Sequence, residues 1–286
     1  MAWMSFASSC PTKTPCAWMK ETGVGAGGGM LERLNYAWRV FATGLSFFTF
    51  GLGGLLLWLL VFPALSLLVR DRSARGRWAR RIIQRSFSAF IELMRVLGVL
   101  TYQIRGTERL QRRGLLILAN HPTLIDVVFL VSLVPDADCV VKSKLARNPF
   151  TRGPIGATGY ISNDSGNGLV EDCIASVKSG RNLIIFPEGT RTPRSGPATL
   201  QRGAANIAVR GVLDITPVVI RCSPPTLSKG EKWYRIPSRR FHMSLEIRDD
   251  LPVTPYLAGT SEALAARKLT EFLTDYFDLE RADASA

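Results

Sequence analysis

Histidine is nearly absent. The 286-residue chain contains only His121 and His242, so chemistry that needs an imidazole is confined to one of two places. The five cysteines, Cys10, Cys16, Cys139, Cys173 and Cys222, are scattered and form no C-x-x-C pair. That spacing argues against a disulfide framework or a structural zinc site, and it suits a reducing compartment. Lysine is missing between Leu31 and Arg105, and charge of either sign is missing from Phe41 to Val69. No heptad or collagen-like period runs through the chain. At 47% apolar residues it is too hydrophobic to be disordered throughout.

What is abundant is arginine. The net charge of +13 fits two kinds of partner, nucleic acid and an anionic membrane. Its distribution separates them. Between Leu31 and Arg105 stand eleven arginines and three acids, and they flank the 29 uncharged positions 41–69. A basic segment around an apolar run favours a membrane, whereas binding to DNA or RNA leaves that run unexplained. A bilayer span takes about 20 apolar residues, so 41–69 is long enough to cross. The arginines that follow it place that side in the cytoplasm by the positive-inside bias. Gly44, Gly51, Gly53, Gly54 and Pro63 permit a kinked span or a shallow re-entrant hairpin, and a buried soluble helix is the remaining option.

Along the chain, residues 1–29 carry little pattern and no sustained apolar core, so they read as a disordered segment rather than a signal peptide. Met30 opens a better-patterned stretch. Residues 30–98 read as membrane-anchoring and amphipathic helices. Within them, Ile83, Phe87, Phe90, Ile91 and Met94 form one apolar face of a helix over 78–97. That helix can lie at a membrane surface, pack as a core helix of the domain C-terminal to it, or do both. Residues 99–280 alternate strand and helix. Leu115–Ala119, Cys139–Lys142, Leu183–Phe186, Ile215–Arg221 and Phe241–Ile247 read as strands. Leu124–Val134, Gly168–Lys178, Leu200–Val209 and Ser261–Phe277 read as helices. The pattern predicts an α/β fold, a mostly parallel central sheet flanked by helices, preceded by N-terminal membrane-associated helices.

Two segments carry chemistry. The first is Asn120-His121-Pro122-Thr123-Leu124-Ile125-Asp126, at the carboxyl end of a strand, where open α/β sheets bind ligands. Pro122 keeps His121 out of the α conformation and suits the first turn of a helix. His121 then sits in a turn, where Asp126 can reach one ring nitrogen and leave the other as a general base. The same spacing also fits a turn histidine beside an unrelated acid. The second is Phe186-Pro187-Glu188-Gly189-Thr190-Arg191, again after an apolar strand. Gly189 permits a tight turn, Glu188 can accept from a hydroxyl, and Arg191 can hold a phosphate or carboxylate. An ordinary polar turn fits this segment equally well. His242, in an alternating strand, reads as a sheet-surface residue.

Taken in order, the two segments resemble the glycerophosphate/lysophospholipid acyltransferase family, whose first motif is NHxxxxD and whose third is FPEGTR. Val141-Lys142-Ser143-Lys144-Leu145 is similar to that family's AKxEL segment, with Lys144 where Glu is usual. Ile215-Thr216-Pro217-Val218-Val219-Ile220 resembles its proline-containing fourth motif. The resemblance covers about Thr101 to Leu251 and the helices before it. It implies that 99–280 is an acyltransferase catalytic domain. It implies transfer of a fatty acyl group from acyl-CoA or acyl-carrier protein to the hydroxyl of a lysophospholipid such as 1-acyl-glycerol-3-phosphate. His121 would be the base and Asp126 its orienting partner. Glu188, Gly189, Thr190 and Arg191 would bind the acceptor head group, with Lys142 as a further phosphate ligand and Pro217 lining the acyl or donor site. No metal, bound cofactor or nucleic acid is implied. The partners are membrane lipids and the acyl donor. The expected location is the cytoplasmic (inner) membrane, with the catalytic domain facing the cytoplasm. One departure stands out. The second motif, roughly GxIxxDR, falls on Gly159-Tyr160-Ile161-Ser162-Asn163-Asp164, where its phosphate-holding arginine is missing. That opens other acceptors: a lyso-ornithine lipid, a polyene or a glycolipid. A lipid-binding protein without catalysis is a further alternative, against which the intact His121/Asp126 pair counts.

Overall fold

The computed structural model describes residues 29–142, 151–163, 168–193, 199–231 and 234–282. The expectation of disorder over 1–29 therefore lies almost wholly outside the described residues, as do Cys10, Cys16, Lys144 and Asp164.

The uncharged run forms one continuous helical rod. Helix α1 (Met30–Leu56) passes through a π-helical turn, Leu57–Val61, into α2 (Phe62–Leu68). The glycines do not break it, so the re-entrant hairpin is not what forms. Pro63 accounts for the π turn. Its ring and missing N–H disturb the preceding turn of an α-helix, and a wider turn absorbs the conflict. Asp71 then caps α3 (Arg72–Val96), accepting from the N–H groups of Ser73 and Ala74 at 3.3 and 2.7 Å. The apolar face of α3 is buried at Ile83, Ile91 and Met94, and Phe87 and Phe90 meet Phe50 of α1. Helix α3 is thus a core helix, sandwiched between α1 and the sheet.

Seven strands follow among the described residues: β1 (Leu100–Arg105), β2 (Leu116–Ala119), β3 (Ala137–Val141), β4 (Ile161–Ser162), β5 (Asn182–Ile185), β6 (Ile215–Ser223) and β7 (Phe241–Ile247). Their order in the sheet is β1-β7-β6-β2-β5-β3-β4. All neighbouring pairs are parallel except β6 with β7. The central strands β2 and β5 are buried at every residue, which is why they read as unbroken apolar runs. On one face lie α1, α3 and α4 (Asp126–Leu133). On the other lie α6 (Leu169–Lys178), α7 (Gly203–Gly211) and α9 (Glu262–Ala282), with their own apolar layer through Cys173, Ala204 and Leu269. The short helices α5 (Arg152–Thr158) and α8 (Thr254–Leu257) complete the elements among the described residues. This is the mostly parallel α/β sheet expected from the sequence.

Candidate active site

The site forms where parallel strands end. Main-chain pairing of β2 stops at Ala119, and the Asn120 side chain continues it. Its Nδ2 donates to the Ile220 carbonyl and its Oδ1 accepts from the Ile220 N–H, both at 2.7 Å. The main chain is then free to turn, and Pro122 keeps it extended at His121. Asp126 opens α4 as its first residue. Its carboxylate is completely buried and accepts from the Thr123 N–H at 2.7 Å and the Thr123 hydroxyl at 2.5 Å. His121 Nδ1 lies 2.9 Å from Asp126 Oδ2. An ionised carboxylate only accepts, so with Asp126 ionised Nδ1 carries the proton and Nε2 keeps its lone pair. Nε2 has no protein partner among the described residues. Burial pushes the Asp126 carboxyl above its ordinary range, against the lowering effect of the bonds from His121 and Thr123. The ring of Phe186 stacks on His121 with centroids 4.3 Å apart and fixes its plane.

The second motif turns sharply after β5. The Gly189 N–H donates to the Phe186 carbonyl at 3.0 Å, and Gly189 has φ +64°, a left-handed conformation that costs glycine little. The turn folds Glu188 back against the first motif. Glu188 Oε1 accepts from the His121 N–H at 3.1 Å and from the Thr192 hydroxyl at 2.7 Å, while the Thr192 N–H donates to the His121 carbonyl at 2.7 Å. The two motifs are therefore bolted to each other through their backbones. Glu188 Oε2 is buried and without a partner among the described residues, leaving one acceptor for a hydroxyl. Arg191 directs Nη1 at the carbonyls of Leu227 and Ser228, at 2.7 and 2.8 Å, and so clamps the loop after β6. Thr190 is half-buried beside it, and Lys142 is exposed at the carboxyl end of β3, on the same edge of the sheet as His121. Pro217 is placed elsewhere. It pairs with Leu118 inside the sheet, on the face that packs against α6, α7 and α9 rather than the His121 face. Parallel neighbours present matching faces, so the register itself excludes Pro217 from the His121 side.

His121 borders a cavity of about 730 Å³, within the size range of small-molecule sites. Its walls are mainly apolar side chains of α1, α3 and α4, among them Phe47, Phe50, Phe87, Met94 and Val128. Tyr160 also lines it. Burial pushes the Tyr160 hydroxyl well above its ordinary value, and that hydroxyl finds no hydrogen-bond partner among the described residues. Among the described residues, two cations border the cavity, Arg39 and Arg239. Asn120, Phe186 and Tyr160 lie within the quoted motif segments, but the sequence assigned them no role. Thr192 follows the second segment directly and was not singled out. A half-buried histidine on a fully buried carboxylate, beside an apolar chamber, can take a proton from a hydroxyl and limit water while doing so.

A family model described as Acyltransferase matches residues 101–221. The chain is 31% identical over 173 residues to the 1-acyl-sn-glycerol-3-phosphate acyltransferase of Helicobacter pylori, covering 57% of this chain and 70% of that protein. It is 27% identical over 150 residues to the 1-acyl-sn-glycerol-3-phosphate acyltransferase of Pseudomonas aeruginosa, covering 50% of this chain and 58% of that one. It thus spans only somewhat over half the length of some curated relatives. A crystal structure of the 1-acyl-sn-glycerophosphate (LPA) acyltransferase from Thermotoga maritima superposes with a TM-score of 0.62 at 18% identity, covering 86% of this chain and 98% of that one, and shares the fold. Fold and site define an α/β protein with a histidine–carboxylate pair at the carboxyl edge of its sheet. The chain belongs to the acyltransferase family.

Proposed function

We propose that the protein is an O-acyltransferase that moves a fatty acyl group from an acyl-CoA or acyl-carrier-protein thioester to the hydroxyl of a lysophospholipid of the 1-acyl-glycerol-3-phosphate type. The observation that carries this reading is the His121–Asp126 pair, with Nε2 free beside an apolar cavity. His121 Nε2 takes the proton of the acceptor hydroxyl as its oxygen attacks the thioester carbonyl. The tetrahedral intermediate collapses by breaking the carbon–sulfur bond, and the imidazolium returns its proton to the departing thiolate. Asp126 holds the ring in the productive tautomer and stabilises the imidazolium. General-base catalysis of this kind contributes about 10²–10⁴ in rate. No acyl-enzyme forms.

The apolar cavity suits an acyl chain. Among the described residues, Lys142 and Arg239 are cations that could meet an acceptor phosphate, while Arg39 and Arg191 stand nearby with donors already engaged by backbone carbonyls. The α1–α2 rod suits a membrane anchor, since it is the one candidate span among the described residues. We place it in the surface leaflet rather than across the bilayer. Trp38 donates to the Leu97 carbonyl near one end, and Trp58 packs on Gly153 near the other, so the rod is held along the catalytic domain. Its outer face exposes Leu34, Phe41, Phe48, Leu52, Leu59 and Leu67. The arginines after the rod favour the cytoplasmic face of the membrane, whose anionic lipids attract basic segments.

A second reading keeps the chemistry and changes the acceptor. The second-motif segment reads Ile161-Ser162-Asn163 with no arginine, which favours acceptors lacking a phosphomonoester, such as a lyso-ornithine lipid. The deciding experiment offers lysophosphatidate, lyso-ornithine lipid and lysophosphatidylglycerol with acyl-CoA and acyl-carrier-protein donors, and identifies products by mass spectrometry. Preferred turnover of lysophosphatidate supports the first reading, and preference for the lyso-ornithine lipid selects the second. Transfer to no hydroxyl acceptor overturns both.

A further inference from the structure

A second cavity, of about 1080 Å³, lies away from the catalytic residues. Its floor is the opposite edge of the sheet. Arg113 precedes β2, Asp136 precedes β3, Gly159 precedes β4 and Arg181 precedes β5. His121 and the Glu188 turn follow the carboxyl ends of the same parallel strands. One wall comes from the last turns of the apolar rod, through Trp58, Phe62, Pro63 and Leu65. The facing wall is the start of α3, which contributes Arg72, Arg75, Arg77 and Arg80.

The charge here is unbalanced. Arg80 is paired with Asp136 at 2.6 Å, and Arg181 with Asp138 at 3.0 Å. Arg152 lies over the Trp58 ring at 4.2 Å. Arg72, Arg77 and Arg113 are exposed and make no ion pair among the described residues. Asp71 is within electrostatic reach of Arg75 and Arg77, but both its oxygens are committed to the cap of α3. The first turn of α3 contains no acid. Cations at a helix N-terminus oppose the macrodipole and weaken the helix end. Arg72 and Arg75 stand in that first turn and Arg77 follows in the next, an electrostatic cost that an anion would remove.

We propose that this cavity is a second lipid site, which seats the phosphate of an anionic phospholipid whose tails lie on the exposed leucines of the rod. Leu59, Leu60, Leu67 and Leu68 are exposed where the rod reaches the cavity, so an apolar surface and a cationic basket adjoin. An acidic carrier protein or the nucleotide of coenzyme A docked here would have to lead its thioester around α5 to reach His121. A lipid has no such path to travel. The lipid would fix the tilt of the rod in the leaflet and so hold the His121 chamber at the membrane surface. The inference rests on the membrane-surface placement of the rod and not on the identity of the acyl acceptor.

The test is native mass spectrometry of the full chain in detergent with dioleoyl-phosphatidylglycerol or dioleoyl-phosphatidylcholine. Wild type is compared with Arg72→Gln/Arg77→Gln/Arg113→Gln and with a charge-matched control, Arg105→Gln/Arg202→Gln/Arg267→Gln. Each arginine near an anionic headgroup contributes about fivefold, so the cavity variant should retain phosphatidylglycerol roughly 100-fold more weakly, while the control matches wild type. Thermal denaturation gives a readout independent of ionisation, since phosphatidylglycerol should raise the Tm of wild type and control but not of the cavity variant. Equal retention by both triple variants, or no preference for phosphatidylglycerol over phosphatidylcholine, overturns the proposal. Capture of acyl-carrier protein through these arginines in place of lipid also overturns it.

Discussion

At Asp126 burial and hydrogen bonding act in opposite directions, and burial is the larger effect. Its folded value therefore lies above the ordinary 3.8 that the unfolded chain retains. Between those values the folded state binds more protons than the unfolded one. The stabilisation of the protonated form is present at low pH and is lost as pH rises through the window. Asp126→Asn is neutral at every pH and escapes this loss. The Tm of the variant minus that of wild type should grow more positive from acid to neutral pH, while acyl transfer falls roughly 10²–10⁴-fold. A Tm difference independent of pH would contradict the assigned burial cost. The thiols give a second residue-scale prediction. Burial pushes Cys173 and Cys222 up to about 12 and moves Cys139 higher still, so all three stay protonated and unreactive near neutrality. Native Cys10→Ser/Cys16→Ser protein should not react with a thiol reagent at pH 7.5 until it is unfolded, as thiol titration will show. His121 and Asp126 were legible in the sequence because five positions and one proline decide their relation. Thr192 and Asn120 were not, because each acts on a partner 71 or 100 residues away, and nothing local announces such a partner.

Among the elements, α5 shows why local pattern fails. Its sequence, Arg-Gly-Pro-Ile-Gly-Ala-Thr, has the glycines and proline of a loop. Pro154 falls in the first turn, where a missing N–H is tolerated. Gly153 has a tertiary reason, since a Cβ there would overlap the Cβ and Cγ of Trp58. The π turn carries Trp58 in the rod, so one glycine and one aromatic fasten the rod to the domain. Gly153→Val should destabilise the protein by about 1–3 kcal/mol in denaturant titration. Trp58→Ala in the same chain should recover part of that loss. Additive losses in the double variant would show that the two residues do not share this contact. The long apolar and amphipathic helices were legible because their periodicity exceeds any single contact. The two-residue strand β4 and the edge strand β1 were not assigned, because too few residues carry a pattern.

For the whole molecule, the rod lies flat along the domain and turns one leucine-rich face outward. Replacing Leu52 and Leu59 by Glu should release the protein from liposomes in flotation assays without lowering its Tm, because both side chains are exposed. Unchanged flotation would remove the leaflet placement. Overall architecture was readable from strands alternating with helices, but the stacking of rod, α3 and sheet was not, since it depends on which faces meet. The proposed function turns on His121 as the proton acceptor in a direct acyl transfer. The most direct measurement is initial-rate transfer from acyl-CoA or acyl-carrier protein to the preferred lysolipid in detergent, for wild type and His121→Ala, with both proteins shown to be folded. A base at His121 predicts robust transfer by wild type and a loss of at least about 10²-fold in the variant. Equal rates from the two proteins would contradict that role.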